Sequence, residues 1–201
     1  MILIIDYGMG NLRSVSKALE RFGAKVEVSD QPKDLAKADK IVLPGVGAFG
    51  DAMEELAQRG FADPLKREIQ TKKKLLGICL GLQLLFESSE ESPGIPGLGI
   101  FPGTVIRFRS KDVKVPHIGW NSIMLRNSHP LLSNVPDQSF FYFVHSFYGK
   151  PAKKELSAAD CTYGSETFPA MVGSPHVFAT QFHPEKSQDA GLQILKNFVA
   201  W

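Results

Sequence analysis

The amino-acid sequence predicts an α/β fold: a central, mainly parallel sheet flanked by helices, with an additional small antiparallel sheet. Apolar runs alternate with helical patterns up to Ser92, which is typical of β-α-β units and a parallel sheet. After Ser92 the pattern changes to short strand-like pieces, which predict antiparallel pairing. The 201 residues are enough for one domain with a full core, so we expect a single domain over 1–201.

The alternating part of the chain predicts strands and helices in turn. Helical spacing is clearest where Leu12, Val15 and Leu19 share one face and Gly23 follows as a stop signal. The predicted strands cover 2–5, 25–28, 41–43 and 75–78. The predicted helices cover 12–22, 50–59 and 80–87.

The second part of the chain begins with a loop over 93–103, where glycine and proline are frequent. The last segment, 188–201, has helical spacing and is expected to cover the sheet. Between them, short strand-like pieces predict an antiparallel region packed on the parallel one. These pieces are 105–109, 122–125, 140–144, 171–172 and 177–182.

The composition disfavours several classes of protein. A formal net charge of +2 gives no case for nucleic-acid binding, and the run Lys72–Lys74 is expected to be a solvated helix end. The N-terminus lacks the basic segment of a signal peptide, and no stretch is apolar over the roughly 20 residues that a membrane span needs. The presence of only Cys79 and Cys161 disfavours a disulfide framework and fits a reducing cytoplasm.

Residues 45–50, GVGAFG, match the glycine pattern of dinucleotide-binding loops. A dinucleotide site is usually in the first β-α turn and needs an acidic residue about 20 residues later, near the end of the next strand. Here the loop follows the third predicted strand, and the next strand ends in Cys79. We therefore disfavour NAD binding. The plain alternative is a tight turn whose glycines allow positive φ.

Residues 77–81, GICLG, are the thiol counterpart of the nucleophile elbow G-x-S-x-G. A strand ends, the chain turns and a helix begins, so the Cys79 side chain is expected above the sheet edge. A helix N-terminus favours a thiolate, and the N–H of Leu80 is free to hold an oxyanion. A buried inert cysteine is the alternative for Cys79 and the interpretation that we prefer for Cys161.

A cysteine nucleophile needs a base and a group that orients the base. His183 directly follows a predicted strand, and Glu185 is placed to reach back to one ring nitrogen of His183. Among the other histidines, His145 ends the run FYFV and could line a site. His117 and His129 stand beside prolines and are expected in surface loops.

Together, GICLGLQ and FHPE resemble the class I glutamine amidotransferases, and the resemblance covers essentially the whole chain. Further stretches are similar to the branch of that family whose members are glutaminase subunits in histidine biosynthesis. These stretches are DYGMGNLRSV (6–15), PGVGAFG (44–50), PHIGWN (116–121), YFVHSF (142–147) and HPEKS (183–187). The resemblance implies a class I glutamine amidotransferase-like fold, with no metal and no organic cofactor.

The resemblance also implies a Cys-His-Glu triad that hydrolyses L-glutamine to glutamate and ammonia. Cys79 would attack the side-chain amide, His183 would take and return the proton, and Glu185 would orient His183. Plain structural alternatives are an exposed helix position for Gln83 and a solvated acidic cluster for Glu91. The positions that match substrate-binding residues of the family are Gly47, Gln83, Glu91, Ser146 and Phe147.

The family gives the glycine loop a role as well. The N–H of Val46 or Gly47 would join that of Leu80 in an oxyanion hole, and the loop would be unproductive until a loaded partner binds. The implied partner is a (β/α)₈-barrel cyclase that forms a heterodimer with the glutaminase, receives its ammonia and makes imidazole glycerol phosphate and AICAR.

Partner-interface positions of the family match Asn11, Trp120 and Lys186. Core packing for Trp120 and an ordinary surface position for Lys186 are the alternatives. Other functions also stay open at this point. The same chemistry could serve another synthase, such as pyridoxal phosphate synthase, or a cysteine hydrolase could act without glutamine. A non-catalytic regulatory module would need a broken triad, whereas all three members are present.

Overall fold

The computed structural model describes all of residues 1–201. The strands are β1 (Ile2–Ile5), β2 (Val26–Ser29), β3 (Lys40–Leu43), β4 (Lys74–Ile78), β5 (Ser88–Ser89), β6 (Gly103–Arg107), β7 (His117–Leu125), β8 (Phe140–His145), β9 (Phe147–Pro151), β10 (Ser157–Tyr163), β11 (Glu166–Gly173) and β12 (Val177–Thr180). The α-helices are α1 (Leu12–Glu20), α2 (Phe49–Gln58), α3 (Ala62–Gln70), α4 (Leu80–Gln83) and α5 (Gln188–Ala200). None of these helices has the length and apolarity needed to cross a membrane.

The parallel half of the large sheet has the strand order β2-β1-β3-β4-β12. It contains the strands that the first part of the sequence predicts. The apolar side chains of α1 and α5 pack on one face of the sheet, and those of α2 and α3 pack on the other. β1 is therefore buried along its whole length, as expected for a parallel strand covered on both faces.

The antiparallel half has the order β11-β10-β7-β8 and continues the same sheet. The expectation that this region packs on the parallel strands is wrong, because the two halves are joined edge to edge. β12 makes the join, since it pairs parallel with β4 and antiparallel with β11. The separate small sheet has the order β5-β6-β9, with β6 and β9 antiparallel.

Several elements are absent from the sequence-based prediction. α3 buries only Leu65 and Ile69, so its apolar stripe is too short to stand out. β9 and β10 were also missed. β10 is a central strand between β7 and β11, but its sequence SAADCTY consists mostly of small and polar residues. Small side chains fit between two neighbouring strands, yet they give no strong apolar alternation.

The predicted helix over 80–87 is a single turn, α4. The next residues, Leu84–Phe86, are all buried, whereas a helix would bury only one stripe. The carbonyl of Leu84 instead accepts a hydrogen bond from the N–H of Leu98 (2.8 Å). N–H groups of the following loop therefore donate to carbonyls that would otherwise accept hydrogen bonds within a longer helix.

Candidate active site

The chain turns sharply at Cys79, between β4 and α4. The backbone of Cys79 has φ 56° and ψ −109°, a conformation that a residue with a side chain adopts only when its surroundings impose it. A Cβ on Gly81 would collide with the carbonyl of Leu43 in the neighbouring strand β3. The predicted elbow is therefore present, and it places buried Cys79 at the carboxyl end of β4.

α4 begins at Leu80, so the N–H of Leu80 has no partner within the helix. Because α4 is only one turn long, the summed dipole is small. The thiolate-favouring effect that a full helix would exert on Cys79 is correspondingly reduced.

His183 lies beside Cys79 because the strands that precede the two residues are neighbours. β12 pairs with β4, and the N–H of Cys79 donates to the carbonyl of Thr180 (2.8 Å), so the carboxyl ends of the two strands lie side by side. His183 follows β12, and its Nδ1 lies 2.9 Å from Oε1 of Glu185. Both side chains are almost fully buried, at 3% and 1% exposure.

The contact with Glu185 determines which nitrogen of His183 is available. A carboxylate accepts hydrogen bonds, so Nδ1 carries a proton and donates a hydrogen bond to Glu185. Nε2 has no hydrogen-bond partner in the protein, and His183 lines the same pocket as Cys79. Burial lowers the pKa of His183, but Cys79 and Glu185 outweigh burial and raise the pKa to about 10. The site therefore favours an imidazolium beside Cys79.

Ser187 fixes the segment that carries His183. Its hydroxyl donates to the carbonyl of His183 (2.6 Å) and accepts from the N–H of Tyr142 in β8 (3.0 Å). The N–H of His183 donates to the carbonyl of Tyr142 (3.0 Å). Sequence reasoning missed Ser187. The available signal was its position immediately before the helical pattern of α5, where serine is a favoured N-cap residue.

A pocket of about 370 Å³ opens over Cys79 and His183. It gathers most of the residues that the sequence predicts for the site, while Glu185 lies behind His183. Pro116, Val144 and His145 also line it. The predicted residues that line the pocket are Val46, Gly47, Cys79, Leu80, Gln83, Glu91, Ser146, Phe147, His183 and Lys186.

Gln83 is buried, so the alternative of an exposed helix position is wrong. Its Nε2 donates to the carbonyl of Phe147 (2.9 Å) and to Oε1 of Gln181 (3.2 Å). Both donor positions of the amide are thereby used within the protein. The Oε1 atom of Gln83 is the group that remains to accept a hydrogen bond from a ligand.

Glu91 is half-buried and does not belong to a fully solvated cluster. Its Oε2 accepts a hydrogen bond from the N–H of Phe49 (2.8 Å), and the Ser92 hydroxyl accepts from the N–H of Gly50 (3.0 Å). These contacts satisfy two of the N–H groups that are free at the start of α2. Glu91 therefore anchors the helix that directly follows the glycine loop.

The glycine loop lies between the N-terminal turn and the pocket. The buried hydroxyl of Tyr7 donates to the carbonyl of Pro44 (2.8 Å). Gly47 has φ 100°, in the region that favours glycine, and Val46 is exposed. Burial raises the pKa of Tyr7, and Cys79 raises it further, which places the anchored end of the loop near the elbow.

Four apolar side chains form an exposed strip on β7 and β8, which we call the β7–β8 face: Ile118, Trp120, Phe140 and Val144. Their exposures are 59%, 45%, 59% and 37%. In the register of the two strands, Ile118 is opposite Val144. The core alternative for Trp120 is therefore wrong. Val144 also lines the pocket, so the strip reaches the mouth of the pocket.

The remaining predicted positions are placed as follows. Lys186 is exposed at the pocket and forms no ion pair, and Asn11 is half-buried directly before α1. The expectation of a surface loop is wrong for His117, which is buried and begins β7. His129 is half-buried because its ring stacks on Phe178 (4.3 Å between centroids).

Comparison with known proteins gives consistent results over the whole chain. The family model described as glutamine amidotransferase class-I matches residues 3–201. A protein of Acinetobacter baylyi named imidazole glycerol phosphate synthase subunit HisH is 51% identical, with 100% of this chain and 98% of the relative covered. The protein of the same name from Chlorobaculum tepidum is 48% identical, with 99% of each chain covered.

Solved structures share the fold at lower identity. A crystal structure of a glutamine amidotransferase has a TM-score of 0.77 and 18% identity, and covers 100% of this chain and 99% of its own. PurLQS from Thermotoga maritima has a TM-score of 0.78 and 19% identity, and covers 99% of this chain and 97% of its own. At these identities, the comparison establishes the fold.

Proposed function

The chain belongs to the class I glutamine amidotransferase family, and we propose that it is the glutaminase subunit of an imidazole glycerol phosphate synthase in histidine biosynthesis. In this proposal, Cys79, His183 and Glu185 hydrolyse glutamine to glutamate and ammonia. The observation that carries it is one pocket lined by Cys79, by His183 oriented on Glu185, and by the free amide oxygen of Gln83.

The proposed reaction has two halves. The Cys79 thiolate attacks the side-chain amide carbon of glutamine, and the tetrahedral intermediate loses its amine as the C–N bond breaks. The imidazolium of His183 gives its Nε2 proton to the departing ammonia. Water then attacks the thioester, neutral His183 takes a proton from the water, and the C–S bond breaks to release glutamate and regenerate the thiolate.

Glu185 has a positioning role in this scheme. Its carboxylate accepts from Nδ1 of His183 (2.9 Å), which leaves Nε2 as the nitrogen that exchanges protons with the reacting groups. Glu185 also compensates the positive charge of the imidazolium in an almost fully buried site. Burial by itself favours neutral His183, and Cys79 and Glu185 together oppose this effect.

Backbone N–H groups would hold the negative oxygen of the intermediate. The N–H of Leu80 has no partner within α4 and adjoins the nucleophile. We propose that the N–H of Val46 or Gly47 is the second donor, since both residues line the pocket. Tyr7 holds the carbonyl of Pro44 at the start of this loop, which leaves the later peptides, flanked by glycines, free to change orientation.

The glutamine itself would lie along Gln83 and the segment Ser146–Phe147. The free Oε1 of Gln83 is suited to accept from an N–H of the substrate, since glutamine brings N–H donors at both ends. Gly47, Glu91 and Ser146 complete the proposed contacts. Phe147 offers an apolar ring but no side-chain hydroxyl. The proposed reaction uses no metal and no organic cofactor.

The β7–β8 face is the proposed docking site for a (β/α)₈-barrel cyclase, which would form a heterodimer with this chain. Exposed aromatic and aliphatic side chains are the usual central contacts of such interfaces. The strip includes Val144 at the pocket mouth, so ammonia released beside Cys79 would leave close to the interface. Trp120, Lys186 and Asn11 are the proposed contacts, and the glycine loop would become productive when the cyclase binds its own ligand.

The triad is tested with a pair of cysteine variants in complex with the cyclase. Replacing Cys79 by alanine removes the nucleophile, so glutaminase kcat should fall by at least about a thousandfold. Cys161→Ala is the matched control, since Cys161 is also buried but lies in β10, outside the pocket. It should keep kcat within about threefold of wild type. Equal losses in both variants, or full activity without Cys79, would contradict the proposal.

A further inference from the structure

Two buried histidines are in contact at the wall of the pocket. His145 ends β8, His117 begins β7, and the two residues are paired in the register of these strands. Nδ1 of His117 lies 3.2 Å from Nε2 of His145, and both side chains are buried. His145 lines the pocket, while His117 lies behind it. Neither ring takes part in the reaction proposed above.

The surrounding acceptors determine where the protons lie. Nδ1 of His145 is 2.8 Å from the carbonyl of Phe147, which only accepts, so Nδ1 of His145 donates. In a neutral ring, Nε2 of His145 is then an acceptor, and Nδ1 of His117 must donate to it. Nε2 of His117 is the remaining acceptor, and the side-chain amide of Asn121 approaches it at 3.5 Å. The hydrogen bonds thus run in one direction, from the amide of Asn121 through His117 and His145. The last acceptor is the carbonyl of Phe147.

Aromatic packing keeps both rings neutral. His117 is stacked between Phe143 and Tyr163, at centroid distances of 4.9 and 3.9 Å, and Phe108 lies 5.1 Å from His145. Burial lowers the pKa of His145 to about 3 and that of His117 to about 4. At neutral pH each ring therefore has one donor and one acceptor, as the direction of donation requires.

We propose that His145 is a positioning residue for the glutamine site and that His117 holds it in place. The carbonyl of Phe147 receives two hydrogen bonds, from Nδ1 of His145 (2.8 Å) and from Nε2 of Gln83 (2.9 Å). His145 fixes this carbonyl, the carbonyl fixes the amide of Gln83, and the free Oε1 of Gln83 is thereby aimed at the substrate. This inference rests on the proposed function, since it assigns Gln83 to glutamine binding.

Two substitutions of His145 separate the bond to Phe147 from general packing. In His145→Asn, the amide nitrogen replaces Nδ1 and keeps a donor towards Phe147. In His145→Gln, the amide oxygen at the Nε2 position still accepts from His117, but the donor towards Phe147 is lost. Loss of a buried hydrogen bond should raise the KM for glutamine about tenfold in His145→Gln, with kcat within about threefold of wild type. In His145→Asn, KM should stay within about threefold.

The variants are measured as complexes with the cyclase, beside His129→Asn as a control. His129 also stacks on an aromatic ring but lies outside the pocket, so its replacement should leave KM unchanged. Equal KM values for His145→Asn and His145→Gln, whether raised or unchanged, would overturn the proposal. A wild-type complex with no glutaminase activity would instead overturn the proposed function.

The nitrogen NMR spectrum of the wild-type chain tests the arrangement without any variant. Both buried rings should show a protonated Nδ1 and an unprotonated Nε2 at pH 7. A proton on Nε2 of His145 would overturn the proposal, because Nδ1 could then not donate to Phe147. This measurement tests the bond from His145 to Phe147 even if the His145 variants do not fold.

Discussion

The two halves of the large sheet each contain one buried cysteine, and they give it opposite surroundings. Cys79 follows β4 in the parallel half, at positive φ, with His183 beside it in one pocket. Cys161 lies within β10 in the antiparallel half, where burial and, to a lesser extent, Asp160 raise the pKa of its thiol to about 12. Burial alone therefore does not distinguish the two cysteines.

The histidines differ in the same way. Burial lowers the pKa of His145 and His117 in the antiparallel half, where no carboxylate faces either ring. His183 is also buried, yet Cys79 and Glu185 reverse the direction and raise its pKa to about 10. Position at the carboxyl ends of parallel strands matters because groups from several strands converge there. Cys161, which lies within β10, meets only its packed neighbours.

The largest effect is expected when the carboxylate of Glu185, which helps to raise the pKa of His183, is removed. In Glu185→Gln, the buried imidazolium loses its carboxylate and the tautomer is no longer fixed. We expect glutaminase kcat to fall by about 10²- to 10⁴-fold, with the fold retained. Steady-state kinetics of the complex with its cyclase measure the loss.

Asp189→Asn is the matched control for Glu185→Gln. Asp189 is an exposed acidic residue in the first turn of α5, and it has no ion pair. Removing its charge should leave kcat unchanged. A similar fall in both variants would mean that net charge, and not orientation of His183, sets the rate.

The antiparallel half contributes the β7–β8 face, and Trp120→Ala tests that contribution. If this face is the docking site, as proposed, loss of the Trp120 ring should weaken binding of the cyclase by about 30-fold, or about 2 kcal/mol. Because Trp120 is 45% exposed, the free energy of unfolding of the isolated chain should change little. Calorimetric titration with the cyclase and urea unfolding measure the two quantities.

Trp201→Ala is the control for Trp120→Ala, because the reverse pattern of effects on stability and affinity is expected. Trp201 packs against Phe198 and lies under the ammonium group of Lys74, outside the β7–β8 face. Its loss should lower the free energy of unfolding and leave affinity for the cyclase unchanged. Unchanged affinity in Trp120→Ala would remove this face as the docking site.

His183 is also expected to make the stability of the folded chain depend on pH. Its pKa is raised from 6.5 to about 10 in the folded chain, so between these values the folded state binds more protons than the unfolded state. The stabilisation is complete below the unfolded value and is lost as pH rises through about 10.

Urea unfolding of wild type and His183→Gln at a series of pH values measures this contribution. The stability difference between the two proteins should shrink as pH rises from 6.5 to about 10. A difference that stays constant over this interval would show that His183 does not keep its proton beside Cys79.

Local patterns were sufficient to predict the parallel strands and the elbow. The glycines around Cys79 and the two-residue spacing of His183 and Glu185 act within short segments of chain. The contact between Nδ1 and the carboxylate was accordingly expected, and the structure contains it at 2.9 Å. The catalytic roles of these residues stay predictions.

Features that depend on distant partners were not predictable in the same way. His117 precedes no apolar run long enough to mark a strand, and its burial arises from pairing with β8. The one-turn length of α4 depends on backbone bonds from a loop more than ten residues later, which include Leu98 to Leu84. Ser187 joins His183 to Tyr142, a contact across 45 residues of sequence. Such contacts leave no periodic signal in the sequence.

Covalent labelling tests whether Cys79 is the nucleophile. The complex is treated with a glutamine analogue whose side-chain amide is replaced by an electrophilic carbon. Peptide mass mapping then locates the added mass. We expect one label per chain, on Cys79, with Cys161 unmodified, and protection of Cys79 by excess glutamine. Labelling of Cys161 at the same rate, or labelling of Cys79 that glutamine does not prevent, would contradict the claim that the strand-end pocket makes Cys79 the nucleophile.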